Sequence, residues 1–470
     1  MSTFENEELY YIAKMREIVR TRSEALGRPM TACVVTFGCQ MNARDSEKLE
    51  GVLSRAGFVI TQEEDADFLI YNTCTVRDNA DQRVFGRLGR ISHYKKRNPM
   101  MKVAVCGCMM QEASNVEKIK KSYPFVDLIF GTHNLYQFPR YLCGTFEGTG
   151  RVEDIWEAAD RIVEDLPIRR KYSYKSGINI RFGCNTFCSY CIVPYVRGRE
   201  RSREPREILR EVETLAADGV KEIMLLGQNV NSYGTGLDTD VTFPMLLNEA
   251  ASVEGIRRVR FMTPHPKDFS PDLIRVIRDN PVIARHVHLP LQSGSDSVLK
   301  RMNRRYTKQQ YIDLAQRIRH EIPDVSITTD IIVGFPGETA ADVDDTLDVI
   351  EKVGFDNAYT FIYSKRRGTP AARMEDQVPQ DQVNAGFNRV LEAVQRNARM
   401  RSIALQGQVH EALVEEVNTR NEGYVSARLS NNMIVHVPGD ASMIGKFYPI
   451  KLSECRGFYY FGEITGDERY

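Results

Sequence analysis

Three cysteines at positions 184, 188 and 191, spaced C-x-x-x-C-x-x-C, constrain what this chain can fold into more than any other feature of it. On a helix, offsets of four and seven would only place three small apolar residues on one face. The setting argues against that. Gly183 and Asn185 bracket the first cysteine, Pro194 follows the last, and the run Gly177 to Phe182 ends just before, so the segment reads as a loop at the C-terminal end of a strand. Three thiolates within eight residues of loop can wrap one iron–sulfur cluster and leave its fourth iron for another ligand. A structural zinc would want a fourth Cys or His nearby, and none lies between Phe182 and Arg206.

The other seven of the ten cysteines belong to a chain of 470 residues whose first thirty carry charges every few positions. No apolar run approaches the ~18 residues a membrane helix needs, and no export signal is visible. A cytoplasmic, reducing setting that keeps the thiols free is the expectation. With 42% apolar and 27% charged residues the composition is that of a globular protein of about three domains. Lys plus Arg (63) equals Asp plus Glu (63), so overall charge draws no polyanion and any nucleic-acid surface must be a local patch.

Residues 7 to 25 read as one amphipathic helix, with Leu9, Ile12, Met15 and Val19 at helical spacing and Gly27 and Pro29 as its stop. From 31 to about 143, apolar runs (Ala32 to Phe37, Phe68 to Asn72, Lys102 to Cys106, Asp127 to Phe130) alternate with helical patterns, the signature of an open parallel sheet with crossover helices. Residues 144 to 167 carry seven acids and three glycines and read as a solvated linker. Six further strand–helix units follow: Gly177 to Phe182, Glu222 to Leu226, Arg258 to Met262, His286 to Leu289, Ser326 to Val333 and Ala358 to Tyr363. Six units fit a partial (β/α) barrel better than a complete one. After a helical stretch from 379 to 404, short strands broken by glycines read as a small β-barrel of about sixty residues.

Cys39, Cys74 and Cys108 are far apart in sequence, yet each stands just past a predicted strand, in Phe37-Gly38-Cys39, Asn72-Thr73-Cys74 and Cys106-Gly107-Cys108. In an open parallel sheet those ends share the edge where ligands bind, so the thiolates would converge; unrelated buried thiols are the alternative. Cys33 and Cys106 fall within strands and read as core, and Cys143 and Cys455 are given no function.

These residues resemble a known family. The cysteine loop with Tyr190 between its last two cysteines is similar to the radical S-adenosylmethionine signature, and Thr36-Phe37-Gly38-Cys39-Gln40-Met41-Asn42 to the opening motif of the methylthiotransferases. With Asn72-Thr73-Cys74, Cys106-Gly107-Cys108, Gly334-Phe335-Pro336-Gly337-Glu338 and a tail that resembles a TRAM domain, the likeness covers nearly all of 31 to 468. Cys191-Ile192-Val193-Pro194-Tyr195 and Arg197-Gly198-Arg199-Glu200 are most similar to the branch that methylthiolates N6-isopentenyladenosine in tRNA. The segment Ser364 to Thr369 departs from the family pattern, with Lys365 and Arg367 where proline is expected.

The resemblance implies an α/β chain in parts: a helical extension (1–30), an N-terminal open-sheet domain (31–147), a linker (148–169), a radical S-adenosylmethionine core built as a partial (β/α)6 barrel (170–400) and an OB-like TRAM barrel (402–468). It implies two 4Fe-4S clusters, a radical one on Cys184, Cys188 and Cys191 and an auxiliary one on Cys39, Cys74 and Cys108 that carries the sulfur to be methylated and inserted at carbon 2 of the adenine. S-adenosylmethionine would be both methyl donor and radical source. Tyr190, and the loops after successive predicted strands with Gln228, Asn229, Ser293, Gly334 and Glu338, are its candidate contacts.

The expected partners are a tRNA anticodon stem-loop, an electron donor and a sulfur donor. Positive charge is local: residues 168 to 206 hold ten basic side chains, including Arg197 and Arg199 as candidate substrate contacts. Residues 81 to 102 hold seven more, and Arg301, Arg304 and Arg305 form a third group. Such runs are either solvated faces or a phosphate-binding rim. Tyr424, Arg428, Phe447, Tyr448 and Lys451 of the tail are of kinds that bind RNA. Methylthiolation of threonylcarbamoyladenosine or of a ribosomal-protein aspartate is the same-family alternative. A non-catalytic iron–sulfur RNA-binding protein is the alternative of another class.

Overall fold

The computed structural model describes residues 3–75, 78–148, 150–159, 162 and 166–469. The chain forms two compact units, one of Met1–Lys171, Phe182–Asn185 and Cys191–Arg203, the other of Tyr172–Arg181, Thr186–Tyr190 and Glu204–Tyr470.

In the first unit, β1 (Thr31–Thr36), β2 (Val59–Ile60), β3 (Phe68–Thr73), β4 (Lys102–Gly107), β5 (Leu128–Phe130) and β6 (Val152–Asp154) form one sheet in the order β2-β1-β3-β4-β5-β6. Every pairing in it is parallel. All of β3 is buried, as a parallel strand covered on both faces requires. The helices α1 (Thr3–Leu26), α2 (Gln40–Arg55), α3 (Asp78–Arg97), α4 (Ala113–Ser122) and α5 (Phe138–Glu147) accompany the sheet. Ile12, Met15 and Val19 of α1 enter the same core as Phe58, Phe68 and Phe138, whereas Leu9 is exposed and lies off that stripe. Cys33 and Cys106 are core residues, as their place within strands implies.

The stretch read as a solvated linker is corrected by β6, which pairs with β5 and is held by Tyr141, whose hydroxyl donates to Asp154 Oδ2 at 2.7 Å, and by Asn134, whose amide donates to the Asp154 carbonyl at 2.8 Å. Three residues, two of them acidic, are too few to display a strand period. Asp160, Glu164 and Asp165 of that stretch lie outside the described residues.

The second unit carries the six expected parallel strands: β7 (Lys175–Asn179), then, beyond the two-residue β8 (Arg181–Phe182) and β9 (Arg201–Ser202) either side of the cysteine loop in sequence, β10 (Glu222–Leu226), β11 (Arg258–Phe261), β12 (His286–His288), β13 (Ser326–Val333) and β14 (Asn357–Ile362). They form two sheets, β11-β10-β7 and β12-β13-β14, linked by a parallel bridge between Val259 and Ile283. The result is an incomplete barrel. Ile327, Ile331 and Val333 face its core, so Asp330 and Ile332 point to the other side with their partners Tyr359 and Phe361. These two aromatics, on the free edge strand, are 49% and 46% exposed.

The helix Gln380–Ala404 leads to a closed barrel of β15 (Val409–Val417), β16 (Tyr424–Leu429), β17 (Ile434–Pro438), β18 (Phe447–Cys455) and β19 (Tyr459–Ile464). Arg258 and Arg260 of β11 fasten it by donating to the carbonyls of Arg428 (3.0 Å) and Leu429 (2.7 Å). Both pair with Glu222, at 3.4 and 3.1 Å, and all three side chains are buried. Removing Glu222 alone would leave two uncompensated cations, at about 3–5 kcal/mol. Among the described residues no helix is long and apolar enough to cross a membrane.

Candidate functional site

The ends of β1, β3 and β4, adjacent in the sheet, deliver the three separated cysteines to one edge. Cys39 caps the N-terminus of α2, Cys74 follows β3 directly and Cys108 opens a 3-10 turn after β4. Asn42 ties them together. Its amide nitrogen donates to the carbonyls of Phe37 (2.9 Å) and Thr73 (2.8 Å), and its Oδ1 stands 3.8 Å from Cys39 Sγ and 3.9 Å from Cys108 Sγ. Asn72 in turn donates to the Asn42 carbonyl at 2.9 Å and to Ser46 Oγ at 3.0 Å. Gly38, at φ +107°, lies so close that a Cβ there would meet Cys74 Sγ at 2.5 Å, which leaves the sulfurs the space a side chain would take.

Electrostatics favour the thiolate at Cys39. A hydrogen bond from Cys74 holds the Cys39 thiol down to about 6, opposed by burial and helped by the charge of Arg197. The helix N-terminus adds to the same effect. Burial pushes Cys108 up, against Arg197. Among the described residues no group of three or more Cys, His, Asp or Glu is arranged to hold a metal ion. By donor type, three thiols fit an iron–sulfur cluster, whose ligands are soft thiolates.

In the loop itself, the Cys184 amide donates to the Gly198 carbonyl at 3.1 Å, and Gly183, at φ +73°, passes so near Arg199 that a Cβ would lie 2.1 Å from its carbonyl oxygen. Cys188, in the second unit, is buried with Arg304 Nη1 at 3.5 Å from its sulfur. Arg304 also donates to Tyr306 Oη (3.0 Å) and the Pro290 carbonyl (2.9 Å). Nearby, Tyr190 packs against Val298, Met302, Phe335 and Ala371.

The other candidate contacts sit in the loops after β10, β12 and β13. Gln228 is partly buried; Asn229, in the left-handed region, donates to Ser232 Oγ at 2.5 Å and Asp268 Oδ2 at 2.9 Å, while its Oδ1 is buried without a partner. Ser293 is fully buried and accepts from the Ser295 amide at 3.3 Å. The Gly334 amide donates to the Glu338 carboxylate.

Burial pushes Glu338 from 4.5 up to about 7, against that Gly334 bond. The folded state therefore holds this proton more tightly than the unfolded one, so the stability it contributes is full below pH 4.5 and is lost as pH rises through about 7. Glu338→Gln should flatten the fall in thermal unfolding midpoint between about pH 5 and 8. An unaltered profile would show that another group controls it.

The basic runs divide on burial. Arg197 and Arg203 are each only 6% exposed and Arg304 8%, so Arg197, expected as a substrate contact, lies inside the protein in this structure. Arg301 is tied to Asp376, whereas Arg199 and Arg305 are exposed. On α3, Arg83, Lys96 and Arg97 are exposed, while Arg87 and Arg90 pair with Glu64 at 3.0 Å. In the tail, Phe447 is core, which removes it as an RNA contact, and Arg428 is held by Glu415 at 2.9 Å. Tyr424 instead groups with His436, Tyr459 and Phe461, ring centroids 5.0 to 5.9 Å apart.

Three comparisons place the chain among known proteins. Residues 31–131 match the Uncharacterized protein family UPF0004, residues 178–350 the Radical SAM superfamily and residues 404–465 the TRAM domain. The chain is 55% identical over 449 residues to the tRNA-2-methylthio-N(6)-dimethylallyladenosine synthase of Lachnoclostridium phytofermentans, covering 96% of this chain and 98% of that one. It is 48% identical over 456 residues to the protein of the same name from Acetivibrio thermocellus, covering 97% and 95%. Among solved structures, the radical S-adenosylmethionine methyltransferase TsrM of Kitasatospora setae, with cobalamin and a 4Fe-4S cluster bound, has a TM-score of 0.53 at 15% identity over 73% of this chain and 74% of that one, a likeness of fold.

Proposed function

The chain belongs to the tRNA-2-methylthio-N(6)-dimethylallyladenosine synthases, radical S-adenosylmethionine methylthiotransferases of tRNA, and from that premise we propose that it places a methylthio group on carbon 2 of N6-isopentenyladenosine beside the anticodon. The observation that carries the reading is the gathering of Cys39, Cys74 and Cys108 at the ends of three adjacent parallel strands, in a chain that also holds the separate Cys184, Cys188 and Cys191 loop.

Members of this superfamily use S-adenosylmethionine and a 4Fe-4S cluster. Cys184, Cys188 and Cys191 are the ligands we assign to it, with Tyr190 and the loops bearing Gln228, Asn229, Ser293, Gly334 and Glu338 around the cofactor. Cys39, Cys74 and Cys108 would hold a second cluster, with Asn42 and Asn72 fixing the backbone that presents them. When bound, the first group supplies the electron that cleaves S-adenosylmethionine to a 5′-deoxyadenosyl radical, and the second carries the sulfur. An external electron donor and a sulfur donor complete the balance.

Tyr359 and Phe361, half-exposed on the face of edge strand β14 that points away from the core, offer apolar contact, and the Asp330 carboxylate opposite Tyr359 would repel a second carboxylate, which suits an isopentenyl group better than threonylcarbamoyladenosine or aspartate. The test is mass spectrometry of anticodon stem-loop RNA after incubation with reduced protein and S-adenosylmethionine. RNA carrying isopentenyladenosine should gain the methylthio group and unmodified RNA should not. Turnover confined to threonylcarbamoyladenosine would overturn the substrate assignment.

For RNA placement, the exposed cations of α3 are the first candidates. Phosphate contacts position a nucleic acid without reading its sequence. Arg83→Glu with Arg97→Glu should weaken binding of different tRNAs about equally and lower the salt slope by about one for each arginine replaced. Unchanged affinity in a filter-binding titration would make α3 a solvated face.

A further inference from the structure

We infer that Arg197 is a positioning residue of the auxiliary centre, whose hydrogen bond to the Cys108 sulfur sets that centre's reduction potential. The inference rests on the reading that Cys39, Cys74 and Cys108 hold a cluster. Arg197 is 6% exposed, and its Nε donates to Cys108 Sγ at 3.1 Å. The other arm of the guanidinium reaches Asn42 Oδ1 at 2.6 Å and Asp45 Oδ2 at 3.0 Å. One rigid fork thus serves a sulfur, the amide that holds the cysteine turns, and a carboxylate. A lysine ammonium is a point charge on a flexible stem and cannot span all three.

The local fold is arranged to deliver this side chain. The short helix α6 (Val193–Val196) packs its Ile192 and Val196 neighbourhood against Cys108, and Thr132 Oγ1 donates to the Val196 carbonyl at 2.8 Å. Arg197 follows at once, and Gly198 turns the chain away at φ +75°. The Arg197 side chain is buried and satisfied by protein partners, whereas its neighbour Arg199 is exposed. Arg197 also lies six positions after Cys191, so one short segment joins a cysteine assigned to the radical loop with the hydrogen bond on Cys108.

The sign follows from electrostatics. An N–H donor on a cluster thiolate favours the more negative, reduced state and raises the potential, whereas a nearby carboxylate opposes reduction. Loss of the Arg197 donor should therefore lower the potential, and loss of the Asp45 charge should raise it.

The experiment uses the full chain with Cys184, Cys188 and Cys191 changed to Ala, so that iron bound after anaerobic reconstitution reports the auxiliary site alone. Potentiometric titration followed by electron paramagnetic resonance should give a more negative midpoint for Arg197→Gln, an intermediate one for Arg197→Lys and a more positive one for Asp45→Asn. A merely structural role for the pair would move both substitutions in one direction or neither. Unchanged midpoints at full iron load overturn the inference, as does a tenfold loss of tRNA affinity in Arg197→Lys with its midpoint unchanged. If the background chain with Arg197 intact binds no iron, the cluster reading itself fails, which is a distinct result.

Discussion

Changing Cys39, Cys74 and Cys108 together to Ala will abolish methylthio insertion into tRNA, a loss of more than about a hundredfold, while reductive cleavage of S-adenosylmethionine continues. The asymmetry comes from the sheet. These thiols stand at the ends of β1, β3 and β4 in the first unit, fixed by Asn42 and Asn72, and none of those contacts involves the residues around Cys188. Removing the sulfurs would delete the ligands proposed for the second cluster while leaving the strands paired along their length. Anaerobic assays of 5′-deoxyadenosine and of modified nucleoside on the same sample check this. Equal loss of both products would mean that the two sites are not separable.

The converse variant has an equally large expected effect. Cys188→Ala will remove both products, because no sulfur is inserted without the radical, and 5′-deoxyadenosine should fall to the uncatalysed background. Cys188 is the buried cysteine of its loop and lies within reach of Arg304, so its replacement leaves a buried cationic side chain facing an apolar methyl. To separate chemistry from misfolding, the circular dichroism and RNA affinity of Cys188→Ser should match those of the unaltered protein. If Cys188→Ala still forms 5′-deoxyadenosine, the loop is not the radical site.

Much of this arrangement is legible in the sequence because parallel strands buried on both faces are written as continuous apolar runs. The runs Phe68 to Asn72 and Ser326 to Val333 lie within a residue of the strands found. The cysteines beyond those runs can be assigned to one sheet edge because parallel strands share a direction. What is not legible depends on contacts distant in sequence. Nothing in the run from Arg197 to Arg206 distinguishes Arg197 and Arg203, which are buried, from Arg199, which is exposed, since a loop has no period. The same holds for Arg304, the neighbour of Cys188, which reads as one more surface cation beside Arg305. Strand β6 is hidden by its own acids, and Phe447 of the tail can be assigned to the core only once the barrel closes around it. Asn42 and Asn72 lie inside motifs already singled out for their cysteines, and their position one turn or two residues from a thiol is the signal that they shape its setting.

The most direct test of the two-centre account is iron and acid-labile sulfide per chain in the anaerobically reconstituted protein and in the two triple-cysteine variants. Two 4Fe-4S clusters require about eight irons in the unaltered chain and about four in each variant. A Cys39, Cys74 and Cys108 variant that kept the full iron content of the unaltered chain would contradict it.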